Sequence, residues 1–502
     1  MLFTLDGVPL PRLEPEQSFN VNTSNWQTGD GIAAFSPDDI KSISVLSTAA
    51  ASTLYGSRSA SGVVMINTKK AHSGKLRVEL GNSTTFSSPL VMPEFQQTYV
   101  AGWGEKTNHP QSWNPADFFR TGHTINNSLS LSIGNEYNQT RVSAVTMNGT
   151  GIIPNNDVDR YNFSFRNTSS LLNHRLKLDF TLRYIHTAEQ NMLSQGMYGN
   201  PLVPVYLVPD VLQERISVNP DYNYKNHFEV YDPKLGANAQ YWPLGNMGMG
   251  MQNPYWIAHR NLRNTDKKRY MLSFSASYDI LPWLNVAGRV RIDNANSLYT
   301  QKLYASSNTT ITDGGKNGHY TEQREYDTQT YADIMVNINK TFGDDWSLQA
   351  NVGASINNVK IDQLSYRGPI QENGLPNVFN VFDLDDSKKR AEKYGWQEQT
   401  QSIFASVEVG WKQMLYLTLT GRNDWASQLA NSPQSSFFYP SVGLSWVPTS
   451  LWDMGNALTY LKIRGSIASV GMPFPRHLTV PTYEYDATNK VWTAKTHYPI
   501  GD

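Results

Sequence analysis

The fold is decided by residues 36–70, which read SPDDIKSISVLSTAAASTLYGSRSASGVVMINTKK. Ser36 can cap a short helix, because Pro37 suits the first helical position and Asp39 stands where a capping box places an acidic group. A brief strand is expected at residues 42–46. The alanines at 49–51 favour a second helical turn, which Gly56 can end in the left-handed conformation. Strand alternation returns at residues 63–66, so the block predicts a small helix-strand-helix-strand unit that must pack on other elements.

Composition narrows the class of protein. The chain has 502 residues, of which 17% are charged and 12% are aromatic, including 27 Tyr and 13 Trp. Aromatic residues at two membrane interfaces and polar residues in the interior are typical of outer-membrane barrels. A soluble all-β protein could have the same composition, so this observation leaves both classes open.

Charge and cysteine content exclude several functions. The net charge of −1 gives no indication of nucleic-acid binding. The chain has no cysteine, which excludes disulfides, thiol nucleophiles and thiolate metal sites. No apolar run approaches the roughly 20 residues of a transmembrane helix, so a membrane-spanning chain of this sequence must be a β-barrel. Residues 1–9 lack the pattern of a signal peptide, so we expect export information to lie outside this sequence if the protein is exported.

From residue 75 onward, segments of about ten residues alternate apolar and polar side chains, as tilted transmembrane strands do. In residues 176–184, for example, Leu176, Leu178 and Phe180 alternate with Lys177 and Asp179. The pattern predicts about thirteen strands. A soluble sandwich would also place one apolar face inward, so alternation alone does not separate the two folds.

The connections between these strands alternate between short and long. Short turns rich in Gly, Pro, Asn or Asp are predicted at 134–139, 172–175, 280–283, 343–346 and 410–414. Long connections are predicted at 87–125, 149–160, 186–267, 298–325, 358–400 and 425–436. Tight periplasmic turns and long extracellular loops give a barrel this strict alternation, whereas a sandwich has no reason to place every long loop at one end. An odd strand count indicates an incomplete barrel, because single-chain bacterial barrels close with an even number.

Several local motifs resemble SusC/RagA-like TonB-dependent outer-membrane transporters. Beside residues 36–70, they are residues 5–9 (LDGVP), 117–122 (DFFRTG), 151–157 (GIIPNND), 252–256 (QNPYW), 421–425 (GRNDW) and 438–442 (FYPSV). The resemblance implies the C-terminal part of a small α+β plug domain at 1–72. It also implies the N-terminal part of a transmembrane β-barrel at 73–502, with about 13 of the 22 antiparallel strands of a complete transporter. Within the plug, the residues that carry the resemblance are Asp6, Gly7, Tyr55, Gly56, Arg58 and Gly62.

The same resemblance implies a function. The intact protein would reside in the Gram-negative outer membrane, in contact with its lipid, and import an oligosaccharide or a peptide. It would work with a SusD-like surface lipoprotein and with the TonB-ExbB-ExbD system, which acts through segments absent from this sequence. Two alternatives are a siderophore or cobalamin receptor, and a non-transporting barrel fragment with a structural or adhesin role.

Candidate chemistry is sparse. The sequence contains no metalloprotease helix motif, nucleophile elbow or phosphate-binding loop, so we expect no enzyme. We expect no cofactor either. Asp383, Asp385 and Asp386 could bind Ca²⁺ in a long loop, although an exposed acidic loop is the simpler interpretation.

Aromatic side chains in the long loops are the better candidates for contacts with a ligand or partner, because flat rings stack on sugars and anchor proteins. They are Trp103, Trp113, Tyr206, Tyr241 and Trp242. Inward strand positions also carry cations, at Arg183, Arg289 and Arg291. We expect these arginines to contact the plug rather than a solute.

Overall fold

The structure, a computed structural model, describes residues 2–11, 25–26, 34–46, 55–59, 61–93, 98–99, 106, 114–206, 227–242, 252–430, 432–452, 458–469, 471, 476, 483–486 and 488–494. The strands are β1 (Leu2–Leu5), β2 (Val8–Pro9), β3 (Asn25–Trp26), β4 (Ile40–Leu46), β5 (Val63–Thr68), β6 (Gly74–Ser87), β7 (Gly122–Gly134), β8 (Asn138–Thr150), β9 (Asp157–Leu171), β10 (Leu176–Gln190), β11 (Ser194–Gln195), β12 (Glu229–Asp232), β13 (Ala237–Gln240), β14 (Asn261–Leu281), β15 (Leu284–Tyr304), β16 (Gly318–Phe342), β17 (Trp346–Pro369), β18 (Arg390–Trp411), β19 (Leu415–Ala426), β20 (Ser436–Trp446), β21 (Ile463–Ala468), β22 (Tyr483–Asp486) and β23 (Val491–Ala494). The α-helix α1 spans Pro254–Arg260, and 3₁₀ helices lie at Pro37–Asp39, Gly56–Ser59, Pro115–Phe118, Val381–Asp383, Ser427–Leu429 and Pro448–Ser450.

Strands β1, β2, β4 and β5 form a four-stranded sheet in the order β2-β1-β5-β4, which we call the plug sheet. Strands β1 and β5 are parallel, and the other two pairs are antiparallel. The β1–β2 turn has positive φ at Asp6 (50°) and Gly7 (78°), which is the backbone of a two-residue hairpin turn. The buried core of the plug sheet contains Leu5 and Ile66. These side chains pack against Ile185 of β10 and Met271 of β14, which belong to the large second sheet, the barrel wall.

The helix predicted at Ser36 is a single 3₁₀ turn, in which the Ser36 hydroxyl accepts a hydrogen bond from Asp38 N at 3.2 Å. The capping-box role expected of Asp39 is wrong. The Asp39 carboxylate instead accepts a hydrogen bond from the Ser143 hydroxyl of β8 at 2.7 Å. The helical turn expected at residues 49–51 lies outside the described residues.

Thirteen antiparallel strands form the second sheet, which confirms the predicted partial barrel. Each strand pairs with its neighbour in sequence, from β6 through β10 and then from β14 to β21. Within the described residues, β6 and β21 do not pair with each other, so the sheet is open at both edges. Successive side chains of each strand point to opposite faces of this sheet. We call the face that contacts the plug sheet the inner face and the other the outer face.

The outer face is apolar and the inner face is polar. Outward side chains such as Leu80 (80% exposed), Ile334 (55%) and Ile467 (83%) are exposed, while inward Arg141, Arg166, Arg183 and Arg291 are buried. A soluble sandwich would have the opposite arrangement, because its apolar face would form the core. Lipid contact on the apolar face explains the pattern. No helix among the described residues is both long enough and apolar enough to cross a membrane.

The central strands are longer than alternation predicts. Strands β14 to β18 contain 21, 21, 25, 24 and 22 residues. The additional residues lie at the end with the long connections, where outward positions such as Asn294 and Asn296 are polar. Polar side chains on both faces leave no periodic signal, so the sequence pattern ends before the strand does.

The connections mostly follow the predicted alternation. Turns of two to four residues join β7–β8, β9–β10, β14–β15, β16–β17 and β18–β19. Residues 447–462 are an exception, because they join β20 and β21 at the turn end and are long. The predicted alternation throughout the chain is therefore wrong at this position, where Pro448 begins a 3₁₀ turn instead of a tight hairpin.

Candidate functional site

The candidate site is the contact between the plug sheet and the inner face of the barrel wall. The β1–β2 hairpin is held by hydrogen bonds to its backbone carbonyls. Arg291 donates to Leu5 O at 2.8 Å and Arg289 donates to Asp6 O at 2.9 Å. Gln329 Nε2 donates to Pro9 O at 3.1 Å. These three contacts use backbone atoms that every amino acid possesses.

The contact predicted for Arg183, Arg289 and Arg291 is confirmed. They occupy alternate positions of β10 and β15 that face the plug sheet. Arg289 is oriented by Asp333, which accepts from its Nε at 3.0 Å, and Arg291 donates from Nε to the Ser273 hydroxyl at 2.9 Å. Guanidinium groups suit this role, because their rigid fork can hold an orienting partner and a plug atom at once.

Asp6 is the charged centre of the hairpin. Its carboxylate accepts hydrogen bonds from Thr68 N at 2.9 Å, from the Thr68 hydroxyl at 2.8 Å, and from Arg183 at 3.3 Å. Burial by itself raises the pKa of Asp6, but Arg183 and Arg166, together with the Thr68 hydrogen bonds, outweigh burial and lower that pKa below its usual value. The side chain is therefore ionised at neutral pH and joins β1, β5 and the wall.

The second motif of the plug, Tyr55 to Arg58, lies against β18 and β19. The Tyr55 hydroxyl is 3.5 Å from Gly7 O, and Arg58 forms an ion pair with Glu398 at 3.4 Å. Gly56 has φ +71°, and a Cβ atom there would lie 2.0 Å from Asp424 Oδ2. Glycine is therefore required at position 56 both by its backbone conformation and by the approach of the wall.

Gly62 completes the set of plug residues noted in the sequence. Its φ is +89°, and a Cβ would come within 3.0 Å of Leu46 O. Its carbonyl accepts a hydrogen bond from Leu2 N at 3.0 Å, at the start of the parallel β1–β5 pair. The structure thus brings Asp6, Gly7 and Tyr55 together, with Gly56 and Arg58 along the same wall, while Gly62 has a backbone role in the plug sheet.

Sequence reasoning did not identify the acidic partners on the wall. Asp179 holds Arg166 at 2.8 Å, Glu398 holds Arg58, and Asp424 holds Arg422 at 2.7 Å. Each is a strand residue at an inward position, so period-two alternation indicates the face on which it lies. No pattern within one strand indicates which distant segment it meets.

A polar row crosses the inner face on the long-connection side of the plug contacts. The register of β14 to β18 aligns Lys267, Ser297, Glu325, Gln363 and Tyr394. We call these five residues the lumen row. Tyr394 is 49% exposed, so the row presents an aromatic ring beside amide, hydroxyl and charged groups.

Three of the sequence motifs meet in the outer connections. Tyr255 of α1 packs edge-on against Phe118 at 5.2 Å between ring centroids, and Asn155 Nδ2 donates to Ala258 O at 2.9 Å. Trp256 is fully buried and donates from Nε1 to the Ser307 hydroxyl at 2.9 Å. These motifs join neighbouring connections into one layer, which is a structural role.

Three of the five loop aromatics belong to the described residues. Trp103 and Trp113 lie outside the described residues. Tyr206 ends a short helical segment at 202–206, and Trp242 is partly buried. The Tyr241 backbone bonds to Phe228 O at 2.8 Å and to Asn253 Nδ2 at 3.2 Å. The contact of all five residues with a ligand or partner stays a prediction.

The acidic loop at Asp383, Asp385 and Asp386 is occupied by local contacts. Asp385 Oδ1 accepts from Ser387 N at 2.9 Å and from its hydroxyl at 2.7 Å, and Asp386 pairs with Lys389 at 2.7 Å. In the part of the chain that the structure describes, no three acidic or histidine side chains surround a point that could hold a metal ion.

Comparison with known proteins identifies the family. The TonB-dependent receptor-like β-barrel family matches residues 206–476, which is more than half of the chain, and the TonB-dependent receptor plug domain matches residues 1–63. TonB-dependent receptor P3 of Formosa agariphila is 23% identical over 484 residues, covering 93% of this chain and 46% of the relative. TonB-dependent receptor SusC of Bacteroides thetaiotaomicron is 24% identical over 463 residues, covering 87% of this chain and 43% of SusC.

A solved structure of the RagAB peptide transporter has the same fold. Its TM-score is 0.74 at 18% identity, and the match covers 99% of this chain and 56% of that chain. The chain thus spans about half the length of the curated relatives it matches. The chain therefore belongs to the TonB-dependent receptors, in their SusC-like group, and is an outer-membrane protein that combines plug and barrel elements.

Proposed function

We propose that the intact protein imports an oligosaccharide or a peptide across the outer membrane. Import would need a SusD-like surface lipoprotein to deliver the ligand and the TonB-ExbB-ExbD system to move the plug. The single observation that carries this proposal is the docking of the plug hairpin by side chains that donate to its backbone carbonyls, at Leu5, Asp6 and Pro9.

Polar docking suits a plug that has to move. When such an interface opens, each carbonyl and guanidinium exchanges its partner for water, so the net free energy lost per hydrogen bond is only about 0.5–1.5 kcal/mol. The apolar part of the contact, where Leu5 and Ile66 pack on Ile185 and Met271, adds a separate cost because that area meets water when the plug moves. A force applied to the plug can therefore open a path along the inner wall in small steps.

The lumen row is the proposed surface for the passing ligand. A tyrosine ring can stack on a sugar ring or pack against a peptide, while Gln363 and Glu325 can bind hydroxyl or amide groups. The relative named as the RagAB peptide transporter supports a peptide, and the SusC likeness supports an oligosaccharide. Both ligands need the same kind of polar surface with an aromatic platform.

Uptake measurements with labelled ligands test the proposal. Cells that express the intact protein are supplied with labelled oligosaccharides and peptides, with and without TonB. We expect TonB-dependent uptake of one ligand class, and a Y394A variant that transports it more slowly.

Y326A is the matched control, because Tyr326 is a tyrosine of similar exposure (51%, against 49% for Tyr394) on the outward face of β16. Correctly assembled protein that transports neither class would refute the proposal. Growth rescue by an iron chelate alone would support a siderophore receptor instead.

A further inference from the structure

Glu398 of β18 is contacted from three directions. Its Oε2 lies 3.4 Å from Arg58 Nη2 in the plug. Its Oε1 accepts hydrogen bonds from Arg476 Nη1 at 2.8 Å and from Gln428 Nε2 at 2.9 Å. One carboxylate, with a side chain only 10% exposed, therefore joins three segments that are far apart in sequence.

The position of Glu398 in the wall explains why these segments meet. Pairing between β18 and β19 ends at Thr400 and Ala426, so Glu398 lies just beyond the end of β19 on the side of the long connections. The 3₁₀ turn that follows β19 is tied back by a hydrogen bond from Gln399 N to the Ser427 hydroxyl at 3.0 Å. Glu398 thus stands where the wall meets both the plug and the outer connections.

Arg476 is held to the wall by a second contact. Its guanidinium lies over the Trp396 ring, 3.8 Å from the centroid, and Trp396 lies two residues from Glu398 on the same face of β18. Cation–π contact and ion pairing together hold the side chain over the inner wall. Arg476 follows β21, so it belongs to a segment of the outer side rather than to the plug.

The two arginines also affect each other electrically. Burial lowers the pKa of Arg58, Glu398 opposes that effect, and the nearby charge of Arg476 lowers it further. Without the carboxylate, two guanidiniums would face each other with no anion between them. Each arginine uses a different oxygen of Glu398, so both contacts can exist at once.

We propose that Glu398 is a positioning residue that couples the plug to the outer segment at Arg476. The proposal rests on the proposed function only in assuming that the plug moves. Arg476 and Gln428 fix the Glu398 side chain in the rotamer that meets Arg58. Loss of either outer contact frees that rotamer and weakens the hold on the plug, and by thermodynamic reciprocity loss of the plug contact weakens the hold on Arg476.

Hydrogen exchange on the full chain, purified from the outer membrane in detergent, measures the coupling without any ligand. In E398Q we expect amide exchange to rise about fivefold or more, both at residues 55–59 and at residues 61–68. The matched control is E392Q, the same change six residues away on β18, where Glu392 pairs with Arg367 of β17 at 2.8 Å. E392Q should alter neither region.

The reciprocal variants separate coupling from a merely structural role. R476A should raise exchange at residues 55–59 by the same factor by which R58A speeds the chemical modification of the Arg476 guanidinium by phenylglyoxal, and R476K should restore part of the plug protection. These two variants also serve if E398Q does not assemble.

Unchanged plug exchange in R476A would overturn the proposal. Slower plug exchange in R476A would also overturn it, because that result is expected if Arg476 only repels Arg58. If the coupling is observed but the intact protein takes up no ligand, the proposed import function is refuted and the coupling through Glu398 is not.

Discussion

Replacing Gly56 by alanine tests whether the plug is seated as closely against the wall as the structure shows. Gly56 and Gly236 both have φ +71°, but nothing lies within 4 Å of a Cβ built at Gly236, whereas Asp424 Oδ2 lies 2.0 Å from one built at Gly56. Alanine in this backbone conformation costs about 1–2 kcal/mol at either position. G236A therefore serves as a control with the same strain and no collision.

The collision in G56A affects a buried ion pair. Asp424 accepts from Arg422 Nε at 2.7 Å, and their side chains are only 6% and 8% exposed. Separating such a pair so that one charge is left uncompensated costs about 3–5 kcal/mol. The plug can avoid this cost only by leaving the wall, so its docking should weaken by about 3 kcal/mol more in G56A than in G236A, which is about 100-fold in the opening equilibrium.

Hydrogen exchange at β5 provides the assay, and thiol labelling provides an independent one. Val63 is fully buried in the plug sheet, and the chain has no cysteine, so V63C supplies the sole reactive thiol. Labelling of V63C should be fast in the G56A background and slow in the G236A background. Equal labelling rates in the two backgrounds would refute the close seating of Gly56 against Asp424.

Other contacts give three further predictions. The pKa of Asp6 is lower in the folded protein than its ordinary value of 3.8, so the stabilising contacts of the carboxylate are complete above pH 3.8 and are lost as the pH falls through the folded pKa. Amide exchange in the plug should therefore rise only below pH 3.8, and D6N should abolish that acid transition. I334R should destabilise the barrel by about 2–4 kcal/mol in urea titrations in lipid bilayers, while I334A should cost much less, because Ile334 faces the lipid. W256F removes the buried hydrogen bond to Ser307 and should cost about 1–3 kcal/mol, measured as a lower midpoint of thermal unfolding, whereas equal midpoints would show that this bond contributes nothing.

Much of the fold could be predicted from local sequence. Residues 176–184 alternate strictly, and β10 has the predicted faces because a strand offers only two. The left-handed conformation of Gly56 could be predicted because glycine adopts positive φ without steric cost. The same local logic fails for Asp39, where the side chain expected to cap its own helix instead bonds to Ser143 in the wall.

The wall side of the site could not be predicted from sequence. Arg58 and Glu398 are 340 residues apart, and no periodic pattern carries information over that distance. Alternation indicates that Arg183 and Arg289 point inward, but the carbonyls they meet depend on how deeply the plug sheet is inserted. That depth follows from the packing of Leu5 and Ile66 against Ile185 and Met271 in three dimensions.

The length of β16 sets a distance requirement for anything that works at the mouth of the barrel. At 25 residues and a tilt near 45°, the strand rises about 60 Å, roughly twice the thickness of the hydrocarbon core. The rim at Gly318 therefore stands about 30 Å above the lipid chains. A lipid-anchored protein that docks on this rim needs a tether of about ten extended residues between its acyl anchor and its folded body.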